Sequence, residues 1–246
     1  MEKSLAYLDS AFRQVGLELT ENQIQQFYTY YEMLVEKNKV MNLTAITEFE
    51  EVVEKHFQDS LTMVYLEKEI EGFSMKNEMK VLDLGTGAGF PGMPLKIAFP
   101  ELNITLMDSL NKRILFLDEV IDKLGLDKIE TVHGRAELTA RDSLYREQFY
   151  LCTSRAVANI STLAEYCLPF VSVGGMFISY KSGNIDEELA AAKSGIGKLG
   201  GKVEKIVKFS LPGSDQQRSF VVIRKTKETP SAYPRKAGVP SKKPLR

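Results

Sequence analysis

Along the first third of the chain apolar residues recur at spacings of three and four, and near residue 80 they condense into short runs bounded by turn residues. The first pattern predicts helices over residues 2–15, 21–39 and 48–66. In the second of these, Ile24, Phe27, Tyr28, Tyr31, Leu34 and Val35 share one face, Thr20 stands where an N-cap belongs, and Asn42-Leu43-Thr44 breaks the periodicity. Thr47 is placed to cap the third, whose face runs through Val52, Val53, His56, Phe57, Ser60, Leu61 and Val64. The polar stretch 71–77 then reads as a linker.

The second pattern predicts strands near 80–85, 103–108, 128–133, 149–154, 175–181, 203–210 and 219–225, with helices near 91–99, 111–124, 160–172 and 185–199. Such alternation gives an α/β fold, a seven-stranded, mostly parallel sheet covered by helices on both faces. Only residues 211–217 separate the last two strands, so they form an antiparallel hairpin at one end of the sheet. The expected organisation is an N-terminal helical cap (1–72), a sheet domain (73–226) and a tail (227–246).

Composition narrows the classes. With 246 residues, 43% hydrophobic, and 32 Lys+Arg against 33 Asp+Glu, the chain has a globular composition rather than a disordered one. The cysteines Cys152 and Cys167 and the histidines His56 and His133 offer no metal-ligand spacing, so no metal is expected. No basic-then-apolar leader and no bilayer-length apolar run is present, which makes a cytoplasmic protein the expectation. Charge is unevenly spread: residues 1–80 carry 15 acids and 8 bases, whereas residues 224–246 carry 1 acid and 8 bases. That basic terminus, interrupted by Pro230, Pro234, Pro240 and Pro244, is not expected to form a helix; it reads as an extended arm on a polyanion or as a solvated tail.

The richest motif is Val81-Leu82-Asp83-Leu84-Gly85-Thr86-Gly87-Ala88-Gly89-Phe90-Pro91-Gly92, which runs from an apolar strand into a helix. Glycines at alternate positions let the backbone turn sharply and let a ligand approach without meeting a Cβ. A dinucleotide fingerprint would need glycine where Phe90 stands, and Asp83 would sit close to a pyrophosphate; that carboxylate better matches a ligand carrying an ammonium and a sulfonium. Asp108, at the end of the next strand, is placed to accept from both ribose hydroxyls of an adenosine. Together these features indicate S-adenosylmethionine. Strand ends further along bring Ala136, Glu137 and Arg155 to the same cleft. Glu137 suits an adenine amino group, and Arg155 a cofactor carboxylate or a substrate phosphate, with surface ion pairs as the competing reading.

Absences bear on the acceptor. After the fourth strand stands Ser154-Arg155-Ala156 rather than the Asn/Asp-Pro-Pro-aromatic turn of amine methylation, and neither cysteine follows a proline as a cytosine C5 nucleophile usually does. A ring nitrogen such as guanine N7 carries no proton, so its methylation needs alignment but no general base.

Asn42-Leu43-Thr44-Ala45-Ile46, Lys55-His56-Phe57-Gln58-Asp59-Ser60-Leu61, the glycine loop with its Phe90-Pro91-Gly92 extension, Ser154-Arg155-Ala156 and the tail Tyr233-Pro234-Arg235-Lys236 with Pro240-Ser241-Lys242-Lys243-Pro244-Leu245 together resemble the ribosomal RNA small subunit methyltransferase G family, also called glucose-inhibited division protein B. The resemblance spans nearly the whole chain. It implies a Rossmann-like S-adenosylmethionine-dependent methyltransferase fold, transfer to guanine N7 in a loop of 16S rRNA, action on that RNA or the small ribosomal subunit, and cofactor contacts at Gly85, Phe90, Ala136, Glu137 and Arg155, to which the residue pattern adds Gly87 and Asp108; a monomer is the expectation, with the oligomeric state left open by the sequence. Lys37-Asn38 and Lys55-His56 depart from the family's usual Trp-Asn and Arg-His. His56 and Asp59 share a helix face; packing of the cap against the sheet is the expected role, a catalytic dyad the competing one. Lys181, Arg235 and Lys236 are candidate phosphate contacts, with solvated surface as the alternative. RNA recognition favours an exposed loop, because N7 of a paired guanine lies in a groove too deep and narrow for side chains.

Overall fold

A computed structural model describes residues 1–155, 158–183 and 185–246. Helix α1 (Glu2–Gln14) is followed by α2 (Glu21–Met41), which begins at the predicted cap: the Gln23 N–H donates to Thr20 Oγ1 while Gln23 Oε1 accepts from the Thr20 N–H. It ends at Asn42 in the left-handed conformation. The third predicted helix is not uniform. A turn of α3 (Phe49–Val52) widens into a π-helical segment (Val53–Gln58), returns as α4 (Asp59–Leu61) and tightens into a 3-10 helix (Thr62–Glu67). Such π segments occur preferentially at functional sites.

The strands are β1 (Lys80–Leu84), β2 (Asn103–Asp108), β3 (Ile129–His133), β4 (Phe149–Ser154), β5 (Val171–Ser182), β6 (Gly201–Ser210) and β7 (Gln217–Lys225). They form one sheet in the order β3-β2-β1-β4-β5-β7-β6, in which only β7 runs antiparallel to its neighbours. Between them lie α5 (Gly92–Ala98), α6 (Asn111–Leu124), α7 (Ala136–Thr139), α8 (Ile160–Cys167) and α9 (Asp186–Lys198). The order in which the strands are laid down reverses between the parallel β1 and β4, and the crevice at such a switch point is where an open α/β sheet binds ligands.

Alternation along each strand splits the core in two. Val81, Ile104, Leu106, Leu151, Ile178 and Phe220 face the N-terminal helices, α5 and α6 in one cluster. Leu82, Met107, Cys152, Phe177 and Val221 face α8 and α9 in the other. The cap is therefore a layer of the main core, with Phe12, Phe27, Tyr30 and Phe57 in contact ring to ring. Both cysteines are buried and free. Among the described residues no helix is long and apolar enough to cross a membrane.

Two expectations fail. The stretch 71–77 is not a solvated linker, because Phe73 and Met75 are buried in the first cluster. The tail is not an extended arm: it docks over α8 and closes with a turn of helix, α10 (Val239–Lys242), whose first turn accommodates Pro240 because no donor is needed there.

Tyr30 ties the cap to the glycine loop, since its hydroxyl, fully buried, donates to the Ala88 carbonyl. Tyr30→Phe leaves that carbonyl without its partner and should cost about 1–3 kcal/mol, seen as a lower urea midpoint at unchanged slope.

Candidate functional site

The loop after β1 adopts the conformation its glycines allow, with φ of +73° at Gly85, +63° at Gly87 and +110° at Gly89. A Cβ at Gly89 would run into Tyr30 and Leu117, whereas one at Gly87 would meet nothing, so Gly87 presents open backbone. Asp83 holds the loop from beneath. Its Oδ2 accepts from Thr86 Oγ1 at 2.6 Å and from the Gly92 N–H at 2.8 Å. Burial pushes its carboxyl up to about 6 against the pull of those two donors. Its Oδ1 is buried without a hydrogen-bond partner.

Beyond the loop lies a cleft of about 340 Å³ lined by Gly85, Asp108, Arg113, Ala136, Glu137 and Tyr166 among others. Asp108, nearly buried, accepts from the Gly87 N–H at 3.0 Å, the Leu110 N–H at 2.9 Å and the Arg113 guanidinium at 3.2 Å. It thereby fixes the loop that it was expected to complement. Glu137, at the start of α7, has one oxygen committed to the Gly238 N–H at 2.9 Å. Sequence reasoning missed Arg113, whose position in the first turn of α6 was the available signal, and Tyr166, which the topology alone brings here.

A larger cavity, about 660 Å³, opens on the other side of Ala158, which lines both. Its wall carries Lys55, Arg155, Lys181 and Arg218 against Asp59 and Glu188. Asp59 is the hub: Oδ2 accepts from Arg155 and Oδ1 from Arg218, each at 2.9 Å. The π-helical turn leaves main-chain acceptors available, and Arg155 donates to the Lys55 carbonyl at 3.1 Å while lying 5.1 Å over the Phe90 ring. His56 stacks on the same ring. Its Nδ1 faces an Arg155 N–H at 3.3 Å and so accepts, which leaves the hydrogen on Nε2 to donate to Thr44 Oγ1 at 2.8 Å. Burial first, and the Arg155 charge second, push the imidazole down to about 3.

The structure thus gathers Gly85, Asp108, Ala136 and Glu137 into one cleft, with the open Gly87 beside it. The Phe90 ring and Arg155 are turned toward the cap instead. Lys181 is held by the Ala158 carbonyl at 2.6 Å and Glu188 at 2.7 Å, lining the chamber. Arg235 is not a free phosphate contact, a correction forced by its pairing with the fully buried Glu165. Lys236 is exposed. Ala156, part of the Ser154-Arg155-Ala156 motif, lies outside the described residues.

Because His56 is neutral in the fold down to about pH 3 but titrates near 6.5 when unfolded, the stability it confers is complete above pH 6.5 and is lost as pH falls through that window. Asp83 has the opposite sign, its raised value costing stability as pH rises from 3.8 toward about 6. Isolating the first effect, the unfolding free-energy difference between the native chain and His56→Gln should change by about 2 kcal/mol between pH 7 and pH 5, in the direction that the native chain loses more. Urea titrations at the two pH values measure it.

Comparison with known proteins is consistent with this geometry. The family model described as rRNA small subunit methyltransferase G (GidB) matches residues 23–221. The chain is 54% identical to the Ribosomal RNA small subunit methyltransferase G of Lachnoclostridium phytofermentans, over 95% of this chain and 94% of that one. It is 48% identical to the protein of that name from Alkaliphilus metalliredigens over the whole of both. Among solved structures, a 16S rRNA (adenine(1408)-N(1))-methyltransferase from Catenulisporales acidiphilia shares the fold, with a TM-score of 0.52 at 12% identity, covering 62% of this chain and 87% of that one. By sequence kinship over nearly its whole length, the chain belongs to the rRNA small subunit methyltransferase G family.

Proposed function

We propose that this protein methylates N7 of a guanine in 16S rRNA, as free RNA or within the small ribosomal subunit, acting in the cytoplasm. The observation that carries the reading is the meeting of two cavities at Ala158, a carboxylate-walled cleft above the glycine loop and a larger cationic chamber. The cleft fits S-adenosylmethionine: Gly85 and Gly87 offer backbone approach, Asp108 the ribose acceptor, Ala136 and Glu137 the adenine contacts. The unpartnered Asp83 Oδ1 is a buried negative atom that a cationic ligand suits. Phe90 contributes through its backbone in the loop, its ring being committed to the cap. When bound, the cofactor supplies a methyl group on a sulfonium, an electrophile that needs no acid to activate it.

The chain's own part is placement. Four cations against two acids around the chamber favour a phosphate-bearing acceptor, with exposed Lys236 as a further phosphate contact. The described groups there that could serve as a base are engaged in structural pairs, Glu188 through its Oε1. His56 is neutral and hydrogen-bonded at both nitrogens, Asp59 holds two guanidiniums, and Glu188 holds Lys181 and the Ile160 N–H. An exocyclic amine must lose a proton on methylation, whereas N7 does not, so these residues suit a ring nitrogen. The names of the relatives support small-subunit rRNA as the acceptor.

Incubation of unmodified 16S rRNA or small subunits with labelled cofactor should incorporate methyl at one site, and reduction followed by aniline should cleave the chain there. Incorporation without cleavage would overturn the N7 assignment. Gly87→Val places a β-branched side chain on a left-handed backbone at the open face of the loop, and calorimetry should show at least a tenfold loss of S-adenosylhomocysteine affinity.

A further inference from the structure

The basic tail has an internal role. Glu165 on α8 is fully buried, and both of its oxygens are taken by Arg235: Oε1 accepts from the main-chain N–H at 2.8 Å and from Nε at 2.9 Å, and Oε2 from Nη2 at 2.6 Å. The same Nη2 donates to the Lys243 carbonyl at 2.7 Å, closing 235–243 into a loop. Arg141 and Arg146 hold the preceding stretch by donating to the carbonyls of Pro234 and Tyr233, and Thr162 on α8 donates to the Pro240 carbonyl. The loop so fixed reaches the cleft at two points. The Gly238 N–H donates to Glu137 Oε1 at 2.9 Å from a left-handed backbone, and Ser241, whose Oγ donates to the Gly238 carbonyl, stands close enough to the Tyr166 hydroxyl to oppose the rise that burial gives its pKa. Glu137 and Tyr166 both line the cleft.

We propose that residues 235–243 are the outer wall of the cofactor site, with Arg235 a positioning residue that sets cofactor affinity through Glu137 and Tyr166. Pinning Oε1 of Glu137 from behind leaves Oε2 as the acceptor for a donor entering the cleft, such as the exocyclic amine of a purine. A carboxylate already oriented loses less freedom on binding, so the latch raises affinity without touching the ligand. The inference rests on reading the cleft as the S-adenosylmethionine site. It assigns the Arg235 latch to the donor and leaves the exposed Lys236 to the RNA.

Linkage makes the coupling reciprocal: whatever the latch does for the ligand, the ligand does for the latch. In the full-length protein, Arg235→Gln combined with Glu165→Gln removes the pair without stranding a buried charge. S-adenosylhomocysteine Kd by calorimetry and the KM for S-adenosylmethionine should rise five- to tenfold, while kcat at saturating cofactor and the KM for ribosomal RNA stay within twofold. With the unaltered protein, saturating S-adenosylhomocysteine should slow tryptic cleavage at the exposed Lys236 and Lys242 severalfold, a readout that does not depend on how the variant folds. Unchanged product affinity with a lowered Tm, a raised KM for RNA alone, or absence of protection would each overturn the proposal. Should the unaltered protein not bind S-adenosylhomocysteine at all, the reading of the cleft fails instead.

Discussion

One buried carboxylate sets the geometry on which both cavities depend. Asp59 receives a guanidinium from Arg155, just beyond β4, and another from Arg218, at the start of β7, with 7% of its side chain accessible. A carboxylate so placed is tolerable only when paired, and removing either partner leaves an uncompensated charge in a poorly solvated site. The pairing also joins three layers. Through Arg155 the clamp reaches the carbonyl groups of the π-helical turn and the face of Phe90, and Phe90 belongs to the glycine loop. The position of the helical cap over the sheet and the shape of the chamber are thus settled by one arrangement of charges.

The same economy appears elsewhere. Lys225 is fully buried, with its ammonium bonded to Glu147, the Leu168 carbonyl and Thr229, and it locks the end of β7 to the start of the tail. Burial pushes that ammonium below its ordinary value, opposed by Glu147. Lys181 and Glu188 brace β5 against α9. Many of the charged side chains that a composition reads as surface are here used to hold elements in register around the site, and this is why so few remain free for acid–base work.

Much of the fold was legible because hydrophobic period reports burial directly. The seven strands, the change near residue 80, the Thr20 cap and the need for left-handed glycine at Gly85, Gly87 and Gly89 follow from local rules that the tertiary structure had no reason to override. The cleft above the glycine loop was equally readable, since strand ends at a switch point converge whatever the loops do. The failures have a common cause. A π-helical turn costs no change in the apolar pattern, so the sequence of 48–66 looks like one regular helix. The ionic partners of Arg155 and Arg235 lie 96 and 70 residues away, and nothing local announces them. Proline and lysine in the tail signal polarity and chain stiffness but say nothing about a buried glutamate waiting on α8.

The position of β7 has a consequence for how the chain is made. The last strand to be synthesised lies between β5 and β6, so β5, central in the finished sheet, presents an unpaired edge until residues 217–225 have left the ribosome. An exposed strand edge is a template for pairing with other chains. The nascent protein therefore carries that hazard until β7 is made, and insertion of this one strand both removes it and delivers Arg218 to the carboxylate that organises the site.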